Sequence, residues 1–400
     1  MTAKASAARG ANLQVVKSAN LSLIFGLIHQ KEPISRAKLA KLSGLSPTTV
    51  SALVDELIEE GMVEETGLAE TSITGRKPVL LAIRPSGGYV IGIELAAEGY
   101  SAGLYDLKGT LRRERTGVLS GTGALLSALD DMLGREIGVE KLLGVCIGIP
   151  AIIDKAEMRV ISSTLVDPEQ CNEVFRAVRA RFPTVRVQMG NESCFCAYSE
   201  KAALSQAVRS LVYIDINVGI GAGIILDNRI FTGAFGNAGE LGHVSIDEHG
   251  PLCRCGNHGC LETLASVPAL AARLNAALDA ETAQRFYPDG VTLSAMAQAL
   301  SRHEAKTTAA VRETCRLLAV GINNVVNILN PEAIVLGGAM CRLGKPFLSF
   351  ITEELHQIGF APNMKKISIT TSQVAGNAVT HGAARFLLDG IFHSAGFWVE

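Results

Sequence analysis

The chain has 400 residues, of which 48% are hydrophobic and 19% charged, with 40 glycines and a formal net charge of −2. This length suits two or three domains and excludes a small disulfide-stabilised scaffold, while the hydrophobic content excludes global disorder. The sequence has no apolar stretch near the roughly 20 residues of a membrane-spanning helix, and its nine cysteines are an odd number for a disulfide framework. We therefore expect a cytoplasmic α/β protein with no membrane partner, in which clustered cysteines are candidate metal ligands.

The N-terminal region has a charge pattern typical of nucleic-acid binding. Residues 1–54 contain seven basic residues and one acidic residue, whereas residues 55–70 contain seven acidic residues and no basic residue. A basic region of this kind favours a polyanionic partner, although a solvated helix face gives the same pattern. The choice between the two depends on the predicted elements of the same region.

Two short helices separated by a glycine turn are predicted in this basic region. Ser35 is placed to cap the first helix, Gly44 ends it, and Ser46 followed by Pro47 begins the second. The second helix starts with small hydroxyl side chains, which can approach base edges and phosphates in a major groove. The pattern therefore predicts a helix-turn-helix whose second helix reads DNA.

A wing is predicted after the second helix. Residues 61–63 and 78–83 are apolar and predict two strands, while residues 70–77 form a polar tip between them. Basic side chains at the base of this tip can enter a narrow minor groove. We therefore predict a winged helix-turn-helix over residues 1–84, with a structural helical hairpin as the alternative. The predicted DNA-binding residues are Arg36, Ser46, Thr48, Thr49, Ser51, Arg76 and Lys77.

Beyond residue 88, predicted strands alternate with glycine turns and helices. These elements fall into two sets with a similar order of strands and helices. The first set has strands at 89–95, 101–106, 144–149 and 185–187, with helices at 123–137 and 171–181. The second set has strands at 210–217, 222–226 and 333–336, with helices near 267–278 and 307–329. Two α/β lobes of this kind predict an internally duplicated fold with a ligand-binding cleft between the lobes.

A dense group of soft metal ligands lies in the second set. Four residues provide one imidazole and three thiolates, the donor set of a closed structural zinc site: His243, Cys253, Cys255 and Cys260. Gly256 and Gly259 allow the short loop to curl so that the three sulfur atoms converge. His249 and His258 are substitutes for His243, and reduced cysteines without a metal are the alternative. Because the protein fills all four positions, we predict a structural Zn²⁺ that braces the loop.

The motif Gly-Glu-Leu-Gly-His at 239–243, followed by Cys-x-Cys-Gly-x-x-Gly-Cys-x-Glu at 253–262, resembles the signature of the ROK family of repressors, open reading frames and kinases. The resemblance covers residues 13 to about 390. It implies a two-lobed, actin-like sugar-kinase fold, and the added winged helix makes the chain similar to bacterial repressors of sugar catabolism, including the xylose and N-acetylglucosamine types. It also implies that five residues in the interlobe cleft contact a sugar: Asn191, Glu192, Glu240, His243 and Glu262.

The resulting domain prediction has three parts. The winged helix-turn-helix occupies 1–84, and a first ROK lobe occupies 85–200, completed by a C-terminal helix at 376–400. A second lobe with the metal-binding loop occupies 201–375. The fold class is α/β, with the winged helix followed by a two-lobed, ribonuclease H-like ATPase or sugar-kinase domain.

The phosphate-handling segments favour a repressor over a kinase. ROK kinases have Asp-x-Gly-Gly-Thr after the first strand, where backbone amides and a hydroxyl meet the nucleotide phosphates. Here that position has Glu94-Leu95-Ala96-Ala97-Glu98, without either glycine or the threonine. A second glycine loop is partly retained at 217–223, and Asn191-Glu192 stands where kinases have Asn-Asp, one methylene shorter. We therefore predict a protein that is not an enzyme and has no catalytic residues.

These observations predict a sugar-responsive transcriptional repressor of carbohydrate catabolism genes. A homodimer or a dimer of dimers would bind a roughly palindromic operator, and a monosaccharide or sugar phosphate would change the separation of the DNA-binding domains. One alternative is an ATP-dependent sugar kinase with an attached DNA-binding domain. Another is a constitutive DNA-binding protein with a vestigial cleft, because segment 151–165 departs from the family's sugar-site pattern.

Overall fold

The computed structural model describes residues 2–68, 77–97, 99–204, 208–358, 366–374 and 376–393, with side chains from residue 15 onward. No helix in these ranges combines the length and the apolarity needed to cross a membrane. The chain divides into two compact units. Unit 1 contains Met1–Ile149, Thr164–Gly190 and Val379–Glu400, and unit 2 contains Pro150–Ser163 and Asn191–Ala378.

Unit 1 begins with a winged helix. Its helices are α1 (Thr2–Lys31), α2 (Arg36–Ser43) and α3 (Pro47–Glu59), and its strands are β1 (Ile34–Ser35), β2 (Val63–Leu68) and β3 (Val79–Ile83). The three strands form one sheet in the order β1-β3-β2, in which β2 and β3 are antiparallel. The predicted wing tip, 70–77, lies outside the described residues except for Lys77.

Local capping explains where the two helices of the helix-turn-helix begin and end. The side chain of Ser35 accepts a hydrogen bond from the backbone N–H of Lys38, and Gly44 ends α2 in the left-handed conformation at φ 72°. The side chain of Ser46 accepts from the backbone N–H of Thr49 at 3.1 Å, with proline as the first residue of α3. One face of α3 is buried in the domain core: Val50, Leu53, Val54 and Leu57. The predicted helix-turn-helix is therefore confirmed.

The rest of unit 1 is built on a five-stranded sheet in the order β10-β7-β4-β5-β6. Its strands are β4 (Tyr89–Ala96), β5 (Gly99–Asp106), β6 (Leu111–Gly117), β7 (Leu142–Ile149) and β10 (Arg186–Asn191), and two helices accompany it, α4 (Thr122–Ile137) and α5 (Pro168–Arg181). β4 pairs antiparallel with β5 and parallel with β7. Helices α4 and α5 bury apolar faces, which gives this sheet the covered core of an α/β fold.

A helix from the far end of the chain completes unit 1. This helix, α13 (Ala378–His393), approaches β4 so closely that a Cβ on Gly92 would overlap the carbonyl oxygen of Thr380. It also packs against α1 of the winged helix, where the rings of Phe25 and Phe392 lie 4.8 Å apart and His29 stacks on Phe392 at 4.0 Å. The helix predicted at 376–400 is therefore present, and residues 394–400 lie outside the described residues.

Unit 2 contains a second five-stranded sheet, in the order β13-β12-β11-β14-β15. β11 pairs antiparallel with β12 and parallel with β14. The strands are β11 (Leu211–Ile216), β12 (Ile220–Leu226), β13 (Arg229–Ile230), β14 (Ala333–Gly337) and β15 (Ser368–Thr371), and β8 (Ile152–Asp154) and β9 (Arg159–Ser162) form a separate hairpin. The helices are α6 (Glu192–Ala203), α7 (Leu261–Ala265), α8 (Val267–Ala277), α9 (Ala280–Phe286), α10 (Leu293–Ser301), α11 (Ala305–Leu329) and α12 (Lys345–Ile358).

The compact units differ from the predicted domain boundaries. The predicted first lobe, 85–200, includes segments 150–163 and 191–200, which belong to unit 2. The first segment is held there by Lys155, whose ammonium donates to the hydroxyl of Thr232 at 2.6 Å. The second segment begins α6, whose backbone approaches Gly223 of β12 so closely that a Cβ there would overlap it. Contacts between segments so distant in sequence leave no local pattern from which these boundaries could be read.

The winged helix, predicted at 1–84, belongs to the same compact unit as the first sheet. Lys108, which follows β5, pairs with Glu32 of the winged helix at 3.1 Å. A Cβ on Gly87 would lie 2.8 Å from the Cα of Met62, so the chain between β3 and β4 is packed tightly against the end of α3. The DNA-binding domain is therefore anchored to the sheet that follows it.

Candidate functional site

The four predicted metal ligands come together in unit 2. The candidate donor atoms of His243, Cys253, Cys255 and Cys260 all lie within 4.8 Å of one another. The Nδ1 atom of His243 is 3.6 Å from the Sγ of Cys253, and the Sγ atoms of Cys255 and Cys260 are 3.5 Å apart. One imidazole and three thiols at these separations fit the closed tetrahedral site of a soft divalent cation.

The backbone of the loop explains how three sulfur atoms converge within eight residues. The N–H of Cys253 donates to the carbonyl of Asn257 at 2.7 Å, and the N–H of Gly256 donates back to the carbonyl of Cys253 at 2.9 Å. Gly256 has φ 93° and Gly259 has φ 57°, conformations that disfavour other residues. A Cβ on Gly259 would also overlap the carbonyl oxygen of Asp247, so a glycine is required there.

The electrostatics of the cysteines differ across this site. A backbone N–H of Asn257 lowers the pKa of the exposed Cys255 thiol, whereas burial raises the pKa of Cys260 to about 12. A bound divalent cation favours the thiolate at every position, so metal binding would release protons. The two substitute histidines are engaged elsewhere, His258 3.1 Å from the carbonyl of Gly250 and His249 beside Glu248.

The five predicted sugar-contacting residues all lie in unit 2. Asn191 caps α6, because its Oδ1 accepts from the N–H of Ser193 at 2.9 Å while its Nδ2 donates to the carbonyl of Ala151 at 3.2 Å. Glu192 is the first residue of α6 and is half-buried. Both polar groups of Asn191 therefore fix the loop and the helix that present the carboxylate of Glu192.

The carboxylate of Glu262 is constrained by hydrogen bonds at both of its oxygens. Its Oε2 accepts from the backbone N–H of Ile220 at 3.1 Å, and its Oε1 accepts from the guanidinium of Arg254 at 2.8 Å. The side chain is only 12% exposed. A Cβ on Gly219 would lie 2.9 Å from Oε2, so the turn between β11 and β12 leaves just enough room for this carboxylate.

Glu240 and His243 share the electrostatic environment of Glu262. Protein atoms around the carboxylate of Glu240 raise its pKa by desolvation, the charge of Glu262 adds to the rise, and His243 opposes it. Glu240 nevertheless remains exposed at the surface of the unit. Closely spaced carboxylates with one exposed edge are suited to accept hydrogen bonds from adjacent hydroxyl groups of a sugar.

The second glycine loop, at 217–223, is held by hydrogen bonds within the protein. The side chain of Asn217 donates to Asp215 at 2.9 Å and accepts from the backbone N–H of Ala339 at 2.6 Å. Burial raises the pKa of Asp215. Gly338 has φ 81°, and a Cβ there would lie 2.6 Å from the backbone nitrogen of Ile216. The sequence did not predict this network, and the glycines at 219, 221 and 223 were its only local signal.

The kinase-type phosphate segment is described only in part. Glu94 lies within β4, opposite Ser101 of β5 and in register with Gly148 of β7. Leu95 is buried, Ala96 ends the strand, and Glu98 lies outside the described residues. The segment therefore continues as regular strand up to the residue before the turn.

The predicted DNA-binding residues have different surroundings in the winged helix. Thr48 and Lys77 are exposed, Thr49 and Ser51 are half-buried, and the hydroxyl of Ser46 lies 2.8 Å from that of Thr49 as part of the α3 cap. Arg76 lies outside the described residues. Exposed residues at the start of α3 and at the wing base are therefore available to DNA, whereas Ser46 has a capping role.

Arg36 is engaged inside the winged helix. Its guanidinium pairs with Asp55 at 2.6 Å and with Glu65 at 3.3 Å, and it donates to the carbonyl of Ser51 at 3.3 Å. These contacts join α2 to α3 and to β2. These ion pairs give Arg36 an internal bracing role, and its predicted contact with DNA stays a prediction.

The chain combines a winged helix-turn-helix with two five-stranded sheets that have helices packed on them. Its second sheet carries a Cys/His cluster and several polar side chains suited to bind a ligand. These features define a class of DNA-binding proteins built on a sugar-kinase fold. A model of the ROK family matches residues 90–389, and a model of the winged helix-turn-helix DNA-binding domain matches residues 20–64. The chain therefore belongs to the ROK family, as the sequence motif predicted, and the predicted fold class is confirmed.

Individual relatives include repressors and kinases. The chain is 31% identical over 390 residues to the xylose repressor of Caldicellulosiruptor bescii, covering 94% of this chain and 97% of that protein. It is similar to the crystal structure of a ROK family transcriptional regulator, a homologue of the Escherichia coli MLC protein, with a TM-score of 0.82, 25% identity and coverage of 96% and 98%. The ROK hexokinase of Thermus thermophilus shares the fold, with a TM-score of 0.63, 23% identity and coverage of 74% and 97%.

Proposed function

We propose that this protein is a sugar-responsive, DNA-binding transcriptional repressor of carbohydrate catabolism genes that acts in the cytoplasm. The main support for this function is that one chain joins a winged helix to the ROK domain and aligns along nearly its whole length with a repressor. The hexokinase covers only 74% of the chain. The repressor relatives support this prediction over the kinase alternative.

The effector in this proposal is a monosaccharide or a sugar phosphate bound by Asn191, Glu192, Glu240, His243 and Glu262. Glu240 and Glu262 would accept hydrogen bonds from hydroxyl groups, and Asn191 would hold the loop before α6 in place. D-xylose is the first sugar to test, because the relative from C. bescii is named a xylose repressor. An effector changes operator affinity only if it binds one conformation of the protein more tightly than the other.

The metal in this proposal is one structural Zn²⁺ held by His243, Cys253, Cys255 and Cys260. Support comes from the donor set and from the convergence of all four donor atoms. When bound, the ion would supply a rigid crosslink between the 240s segment and the cysteine loop. With one ring nitrogen of His243 on the metal, the other would remain free to bind a sugar hydroxyl.

The DNA contacts in this proposal come from the start of α3 and from the base of the wing. Thr48, Thr49 and Ser51 would face the major groove, while Arg76 and Lys77 would contact the minor groove or the backbone. A homodimer or a dimer of dimers would place two such domains on a roughly palindromic operator. Arg36 is left out of the contact set, because its guanidinium already pairs with Asp55 and Glu65.

We further propose that the protein is not an enzyme. The segment Glu94–Glu98 lacks the glycines and the hydroxyl group that bind a nucleotide phosphate. In the second glycine loop, the side chain of Asn217 is already hydrogen-bonded to Asp215 and to the backbone of Ala339. The glycines at 219, 221 and 223 favour the second candidate, an ATP-dependent sugar kinase with a DNA-binding domain. Sugar-dependent release of ADP above that of a Glu192→Ala control would support that candidate instead.

The decisive experiment is a gel-shift titration of the protein on its own promoter DNA with a panel of free and phosphorylated monosaccharides. We expect one sugar to change operator affinity at least about 10-fold in wild type and much less in Glu262→Gln. DNA binding that ignores every sugar would contradict the proposal and support the vestigial-cleft alternative. Metal analysis of the same protein should give about one zinc per chain, and a folded protein without metal would contradict the zinc assignment.

A further inference from the structure

Arg254 lies in sequence between two candidate metal ligands and contacts Glu262, one of the proposed sugar-binding carboxylates. Its neighbours in sequence are Cys253 and Cys255, while its guanidinium donates to Oε1 of Glu262 at 2.8 Å. The other oxygen of Glu262 already accepts from the backbone N–H of Ile220 at 3.1 Å. The carboxylate is therefore oriented by two donors, one from a strand and one from the metal loop.

The two donors differ in how firmly the protein holds them. Ile220 is the first residue of β12, which is paired with β11 along its length. Arg254 lies in the turn closed by the hydrogen bonds between Cys253, Gly256 and Asn257, and its side chain is 44% exposed. The position of Arg254 thus depends on how well the turn itself is fixed.

A metal ion would fix this turn from both sides of Arg254. The donor atoms of Cys253 and Cys255 lie within 4.8 Å of each other, so both neighbours of Arg254 would bind the same ion. The backbone of Arg254 then has little freedom, since both flanking residues are tied to the same ion. Without the ion, Glu262 would keep its hydrogen bond to Ile220, and Arg254 would be held only by the hydrogen bonds of the turn and by its own contact with Glu262.

We propose that Arg254 is a positioning residue that couples the metal site to the sugar site, so that occupation of one strengthens binding at the other. This inference rests on the proposed function, because it assumes that Glu262 binds the sugar. Part of any metal effect reaches the sugar through His243, which belongs to both proposed sets. The specific consequence is therefore that loss of Arg254 reduces the coupling without removing the metal.

The test uses the full-length, zinc-loaded protein as wild type, Arg254→Ala and Arg254→Lys, with Arg302→Ala as a control on an exposed arginine of the same unit. Calorimetry with D-xylose, D-glucose and N-acetylglucosamine as probes gives the sugar affinity. We expect Arg254→Ala to weaken binding about 10-fold and Arg254→Lys to restore part of it, because an ammonium group still pairs with the carboxylate. Metal content should be the same in all four proteins.

The coupling itself is measured by transfer of zinc to a colorimetric chelator with and without the sugar. Linkage requires that a sugar which binds more tightly to the metal-loaded protein also stabilises the bound metal by the same factor. At equilibrium with the chelator, we expect the sugar to raise the zinc affinity several-fold in wild type and in Arg302→Ala, and at most about 2-fold in Arg254→Ala. This readout needs no folded metal-free protein, and a merely structural role of Arg254 would leave the sugar effect unchanged.

The outcomes separate the inference from the proposed function. If a sugar binds wild type and protects the metal equally well in Arg254→Ala, the coupling role of Arg254 is wrong and the repressor proposal stands. If Arg254→Ala loses its zinc, Arg254 supports the metal loop and the positioning role is likewise wrong. If no sugar of the full panel of free and phosphorylated monosaccharides binds wild type, both proposals are overturned, because Glu262 then has no sugar to position.

Discussion

The two five-stranded sheets of this protein share a topology and differ in chemistry. In unit 1, β4 pairs antiparallel with β5 and parallel with β7, and in unit 2, β11 pairs in the same way with β12 and β14. The turns after the first strands differ. At the first turn Gly99 packs against the backbone carbonyl of Gly117, whereas at the second turn Gly219 packs against the carboxylate of Glu262.

This difference shows that the turn after the first strand of each sheet can pack either against the protein backbone or against a functional side chain. The turn in unit 1 has a backbone neighbour that cannot move, so its glycine serves the fold. The turn in unit 2 has a side-chain neighbour, so its glycine leaves room for a group that can bind a ligand. The repeated topology therefore predicts the fold of both units, while the proposed binding of a sugar and a metal depends on residues that only unit 2 contains.

The largest effect is expected from removing a metal ligand in unit 2. Cys260→Ser replaces a buried thiol at the cluster, and we expect metal affinity to fall by at least about 100-fold and sugar binding to fall with it. Cys146→Ala is the matched change of a buried cysteine in unit 1, where it costs about 1 to 2 kcal/mol of stability and leaves the metal in place. Elemental analysis and calorimetry of both variants test the contrast, and normal zinc content in Cys260→Ser would contradict it.

A second contrast comes from the two turn glycines. Gly99 has φ 145° and a backbone neighbour, so Gly99→Ala should lower the free energy of unfolding by about 3 kcal/mol. Gly219→Ala meets only the end of the Glu262 side chain, so it should cost less than about 1 kcal/mol and weaken sugar binding about 10-fold. Urea denaturation and sugar titration distinguish the two. Equal losses of stability would show that the two turns are alike.

The elements that the sequence predicted are those determined by near neighbours. Ser35, Gly44 and Ser46 set the ends of α2 and α3 through bonds that reach three or four residues along the chain. The metal cluster could be predicted for a similar reason, since three of its four ligands lie within eight residues of one another. His243 lies ten residues before Cys253 and was predicted from the same dense group of soft ligands, with His249 and His258 as its substitutes.

The features that the sequence did not predict depend on partners far along the chain. The ion pairs of Arg36 with Asp55 and Glu65, which lie 19 and 29 residues away, were not predicted. The role of Arg254 was hidden in the same way, although a basic residue between two metal ligands and close to Glu262 was a usable signal. The unit boundaries at 150 and 191 follow from packing that only the folded chain defines.

A smaller effect separates bracing from DNA contact within unit 1. Arg36→Ala should lower stability by only about 0.5 to 1 kcal/mol, because its partners Asp55 and Glu65 are largely exposed to solvent. The salt dependence of operator binding should keep its slope, since no phosphate contact is lost. Lys77→Ala should instead reduce the slope by about one unit. A reduced salt-dependence slope in Arg36→Ala would show that Arg36 contacts DNA.

The smallest effect concerns the pH dependence of the contact between α1 and α13. Burial lowers the pKa of His29, and its Nδ1 has no hydrogen-bond partner in the described part of the chain. The neighbouring charges act in both directions: Asp389 and Glu32 raise the pKa, while Arg385 and His393 lower it. Because the folded state resists protonation, the stability contributed by neutral His29 is present above pH 6.5 and is lost as the pH falls below it.

The variant His29→Phe keeps a ring against Phe392 and removes the titration. Between pH 7.5 and 5.5 we expect its thermal midpoint to fall by about 1 to 2 °C less than that of wild type. Burial also lowers the pKa of His381, so a remaining pH dependence of the same sign is expected in this variant. His381→Gln serves as the control that isolates that remainder. A midpoint shift identical to that of wild type would show that His29 is protonated equally well in both states.

The packing of α13 against α1 has a consequence for how the protein is made. Phe25 and Phe392 touch, yet a ribosome adding about 5 to 20 residues per second needs about 20 to 70 seconds to synthesise the chain between them. During that interval the winged helix emerges and forms its local caps while one of its anchoring surfaces does not yet exist. A nascent or prematurely terminated chain therefore displays a DNA-binding domain that lacks its final support, and only the completed polypeptide holds that domain in the position seen here.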